Sequence, residues 1–199
     1  MKKILSFLLL LLCSQFTYSA KHVLFAGVPM GGPKEAFYQK IQKKGFQRIP
    51  CPECVGDSTT DKEYFWGTFR GFSNSIVQVS GFRKDANNVD KVVVMLDACN
   101  SWRALYDYYA KIKQSLAKEY GQPKECREMF HINGQPKTDS DLFIEVKQGN
   151  CEYVSIFSSK RGAIMVSIVY LNQQARVLVT HIDKGTVDKT YEYNKPIKK

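Results

Sequence analysis

The chain has 199 residues, 44% of them apolar and 13% aromatic, enough to close a packed core and to exclude a disordered protein. Its 29 lysines and arginines outweigh 19 acids, a formal charge of +10, which suggests an anionic partner. The lysines are spread along the chain rather than gathered with aromatics, so the pattern is not that of a nucleic-acid binder.

The first element is an export signal. Lys2 and Lys3 precede an apolar run from Ile4 to Cys13, and Thr17-Tyr18-Ser19-Ala20 offers small and polar residues for cleavage. About ten apolar residues rise about 15 Å in a helix, half of a hydrocarbon core of roughly 30 Å, so the run is too short for an anchor. Leu10-Leu11-Leu12 ahead of Cys13 do not suit a lipoprotein peptidase, which wants small residues there. Residues 1–20 are therefore read as a signal peptide and 21–199 as one domain bound for the periplasm or the exterior. Loss of Lys2 and Lys3, with no acid removed, leaves +8, and no later run is long enough for a transmembrane segment.

The domain opens with a strand over His22–Gly27 and a turn at Pro29–Gly32. Pro33 suits the first position of a helix, Phe37 and Ile41 lie one turn apart, and Gly45 caps the end, which predicts a short helix over 33–44. A polar loop follows around 47–62. Strands are expected at Tyr64–Phe69, Ser75–Phe82 and Lys91–Leu96, from their β-branched and aromatic content. Asn100 or Ser101 then caps a longer helix whose Trp102, Leu105, Tyr109, Ile112 and Leu116 recur at threes and fours, ending at Gly121 and Pro123. After a polar loop to about 140, strands are expected at Leu142–Val146, Glu152–Phe157, Ala163–Leu171 and Arg176–Ile182, then a basic tail over 184–199.

A helix, a long polar loop and three strands thus occur twice, over about 33–97 and 101–183. Gly45 and Gly121, Gly67 and Phe143, and Val92 and Ile168 are all 76 residues apart. The expected fold class is α+β, an antiparallel sheet of about seven or eight strands with the two main helices on one face. The other face would carry Gln78, Ser80, Ser155, Ser167 or Thr180, depending on register, and would be free to bind.

Cleavage of the signal leaves five cysteines. Cys126 and Cys151, before and at the start of successive strands, are the preferred disulfide. Cys51-Pro52-Glu53-Cys54 sits in a loop without the strand-to-helix setting of a redox pair, so a local disulfide is the first reading and thiol-redox work the alternative. Metal and cofactor binding are not expected: no second Cys-x-x-Cys or paired histidine accompanies the motif, and His22, His131 and His181 stand far apart. No Gly-x-Ser-x-Gly, P-loop or His-Glu-x-x-His motif occurs, and Asp97 and Asp183 have no matched partner, so no catalytic residue is assigned.

Several short motifs resemble a family of exported proteins of Bacteroides- and Prevotella-type bacteria. They are Phe25-Ala26-Gly27-Val28-Pro29-Met30-Gly31, Phe37 to Lys44-Gly45-Phe46, Gly67-Thr68-Phe69-Arg70-Gly71, and Trp102 through Leu105 to Tyr120-Gly121-Gln122-Pro123. That family carries no agreed activity, so the resemblance implies export and fold but no catalytic residue. The doubled architecture is also similar to β-lactamase-inhibitor-like domains and to small envelope-assembly lipoproteins, an analogy that gives no function. The expectation is a non-enzymatic binding protein that uses its sheet face, with Trp66, Phe69 and Phe72 as candidate anchors. Its partner would be a protein or an anionic envelope component.

Overall fold

A computed structural model describes residues 22–51, 62–81, 87–131 and 138–184. The segment read as an export signal, Cys54 and the basic tail beyond Lys184 lie outside the described residues. β1 (Leu24–Phe25) and β2 (Val28–Pro29) form a small hairpin, followed by α1 (Lys34–Gln42), β3 (Gln47–Ile49), β4 (Lys62–Phe69), β5 (Phe72–Ser80) and β6 (Lys91–Met95). Then come α2 (Trp102–Tyr120), β7 (Glu125–Phe130), α3 (Asp139–Gln148), β8 (Cys151–Ser159), β9 (Gly162–Leu171) and β10 (Gln174–Asp183). Eight of these strands make one antiparallel sheet, in the order β3-β4-β5-β6-β10-β9-β8-β7. The fold is α+β, with the helices packed on the sheet.

This order is two successive four-strand meanders joined where β6 pairs with β10. The halves correspond, but not at one fixed offset. Gln47 pairs with Trp66 and Glu125 with Ile156, so the edge strands are 78 apart while their neighbours are 90 apart. The difference arises because α3 is inserted between β7 and β8. Gly67 therefore lies in β4 while Phe143 lies in a helix, which removes that pair from the proposed 76-residue register.

α2 forms as its sequence dictates. The Ser101 hydroxyl accepts a hydrogen bond from the Ala104 amide at 3.2 Å, and Gly121 ends the helix with φ 80°. Leu105, Tyr109, Ile112 and Leu116 are buried against the sheet, each worth roughly 2 kcal/mol of apolar transfer. Beneath them Val77, Val94, Val166, Val177 and Val179 are fully buried. The β1–β2 hairpin inserts Phe25 among Phe37, Phe46, Phe69 and His181, which closes the end of the core over β4 and β10.

Three expectations are corrected. Leu142–Val146 is not a strand but the middle of α3, which starts with a reciprocal capping box between Thr138 and Asp141. Two segments taken as polar loop, 47–49 and 125–130, are the edge strands β3 and β7. Cys126 and Cys151 are free thiols: the register sets Cys126 opposite Ser155 and Cys151 opposite Phe130. Four residues of strand, about 13 Å, thus separate Cys151 from the position facing Cys126.

Candidate functional site

Side chains alternate across a strand, so each sheet residue belongs to the helix side or the opposite side. Phe65, Val77, Val94 and Val179 point into the helix-covered core. The intervening positions face away. Register aligns Trp66 with Ile76, Ile76 with Met95 and Met95 with Leu178, a row of four apolar side chains across four neighbouring strands. At about 4.8 Å per strand the row is about 14 Å long. Trp66 is 42% exposed, and Ile76, Met95 and Leu178 are half-buried. The next row holds Tyr64, Gln78, Val93, Thr180, Met165 and Ile156, with the Tyr64 hydroxyl 3.5 Å from the Gln78 amide oxygen.

Of the polar residues expected on this face, Gln78, Ser80, Ser167 and Thr180 are there. Ser155 is on the other side, buried with its hydroxyl 2.7 Å from that of Tyr109. Beyond Tyr64 and Gln78, Lys62 and Lys91 flank Ser80 in a third row, and neither has an ion-pair partner among the described residues.

Only one of the three expected anchors lies on this surface. Trp66 faces out, whereas Phe69, three residues on, falls on the opposite side of β4 and is 3% exposed, stacked on Phe25 at 5.7 Å. Phe72 begins β5 partly buried, its ring edge-on to Tyr108 at 4.8 Å. Phe69 is a core residue, and Phe72 packs against the core. The residues missed by sequence reasoning are Ile76, Met95 and Leu178. Their signal was available: β5, β6 and β10 carry apolar side chains at odd and even positions alike, the mark of a strand with two apolar faces.

The titratable clusters lie on the helix side. Lys113 Nζ donates to Glu128 Oε1 at 2.5 Å and to Cys126 Sγ at 3.2 Å, and Cys126 Sγ is 3.5 Å from Ser155 Oγ. Burial disfavours the Lys113 ammonium, yet Glu128 and Cys126 outweigh it and raise its pKa. Burial opposes ionisation of Glu128, but Lys113 and Tyr109 pull its pKa below the ordinary carboxylate value. Tyr109 is held well above its ordinary value, chiefly by burial. The cluster ties β7 to α2.

Asp183, with no partner evident in sequence, is fully buried and accepts hydrogen bonds from the Val23 amide at 2.7 Å and from His22 Nδ1 at 2.8 Å. Cys151 has its pKa pushed up to about 12 by burial, so its thiol stays protonated. Cys51 is disulfide-bonded. Among the described residues no group of His, Cys, Asp or Glu could hold a metal ion, and no helix is long and apolar enough to cross a membrane. No protein-family model, curated protein or solved structure matches the chain.

Proposed function

We propose that the chain is an exported, non-enzymatic binding protein whose open sheet face docks a partner protein presenting apolar side chains ringed by carboxylates. The observation that carries this reading is the row Trp66–Ile76–Met95–Leu178 on the side of the sheet away from the core. An apolar surface of this kind, bordered by polar groups, favours association. Charge selects the partner: Lys62 and Lys91 lie on the same face two rows from the apolar row, without ion-pair partners among the described residues, and the chain is strongly basic overall. The same charge opposes stacking of two copies face to face.

Trp66 supplies the test. In a Trp102→Phe background, the mature chain is titrated with an amphipathic peptide of leucine and glutamate, and with its leucine–lysine counterpart. Saturable blue-shifted emission with the acidic peptide alone is the expected result, weakened about tenfold by Lys62→Glu with Lys91→Glu. No shift, or an equal shift with the lysine peptide, overturns the proposal.

A further inference from the structure

On the helix side of the sheet, a cavity of about 570 Å³ opens between the end of α2, the β8–β9 turn and the segment His22–Leu24. Its floor is apolar: Val23, Phe157 and Ile164 are all buried side chains. The floor is also pre-formed. The backbone of Gly162 approaches so closely that a Cβ there would meet Val23 Cγ2 at 2.6 Å and collide with the Ile182 carbonyl oxygen. The mouth is basic: Lys160 and Arg161 are exposed on the turn, and neither has an ion-pair partner among the described residues. The nearby acids are already engaged. Glu119 is bonded to Arg70 at 2.5 Å, and Asp183 to His22 and the Val23 amide.

We infer that this cavity binds a small anionic amphiphile, with a carboxylate or phosphate head at Lys160 and Arg161 and an apolar body against Val23, Phe157 and Ile164. The volume falls within the range of small-ligand sites, about 300–1,000 Å³. A cation would meet two uncompensated positive charges, and a sugar would leave its hydroxyls unpaired over the apolar floor. A neutral alkane gains nothing from the mouth. The site is separate from the open sheet face, because Phe157 and Ile164 point to the helix side.

The test is calorimetric titration of the mature chain with decanoate, decyl phosphate, decanol and decyltrimethylammonium, and with phosphatidylglycerol vesicles. The two single-chain anions should bind, with amide resonances of Leu24, Tyr120 and Gly162 shifting. Lys160→Glu with Arg161→Glu, a change confined to an exposed turn, should weaken them about tenfold or more. Four results overturn the inference: decanol as tight as decanoate, charge reversal without effect, binding to vesicles alone, or shifts confined to Trp66 and Met95.

Discussion

Acidification should destabilise this protein through a single buried imidazole. His181 on β10 is 1% exposed, edge-on to Phe25 and Phe69, and its Nδ1 has no hydrogen-bond partner among the described residues. Burial, and after it the nearby Arg70 guanidinium, hold its pKa down to about 3 from the ordinary 6.5. The folded value lies below the unfolded one, so this stability is complete above about pH 6.5 and is lost as pH falls toward 3. At about 1.4 kcal/mol per pH unit, roughly 2 kcal/mol should be gone by about pH 5. His181→Leu removes the titration while nearly preserving volume and leaves no unpaired ring nitrogen, so at pH 8 it should cost less than about 1.5 kcal/mol. Urea unfolding followed by tryptophan fluorescence at pH 8, 6.5 and 5 measures both chains. The wild type should lose about 2 kcal/mol more than the variant across that range. Equal losses would refute the assignment to His181.

Tyr109→Phe removes the buried hydroxyl that bonds Ser155 and Glu128 and should cost about 1–2 kcal/mol, read as a lower thermal midpoint at neutral pH. Alkylation of the native protein should label exposed Cys126 quickly, while Cys99, buried and with its pKa raised by that burial, reacts only on unfolding; equal rates would contradict the fold. The disulfide of Cys51 should have a reduction potential below about −300 mV, as a structural bridge does, and a value near that of redox catalysts would favour the thiol-redox alternative for the Cys51/Cys54 loop.

Legibility in the sequence followed the strength of the local code. α2 could be read from Ser101, a stripe of four buried side chains and Gly121, because capping and period agree there. β8, β9 and β10 were legible from their β-branched and apolar content, to within two residues at each end. The edge strands were not: Gln47-Arg48-Ile49 and Glu125 to Phe130 are almost wholly exposed, and charged edge strands look like loop by composition. α3 was misread because Leu142, Phe143, Ile144 and Val146 make a short apolar run of β-formers, and only Val146 is buried. Its true signature was local, Thr138 with Asp141 at the start and Gly149 at the end. The binding face was half legible. Trp66 was found by its chemistry, while Phe69 was assigned to the wrong side because the three-residue step that separates them reverses the face of a strand.

The seam between the two meanders also governs how the chain must assemble. Val93 pairs with Thr180 and Val94 with Val179, partners more than eighty residues apart, whereas the other pairings within each meander are much closer in sequence. Closing a loop of that length is entropically costly and is repaid only when both flanking sheets exist. β6 and β10 should therefore join late, after each half has collapsed on its own helix. Until then each half presents a bare valine-rich edge, so the slow step of folding is also the interval in which one chain can pair with the wrong half of another.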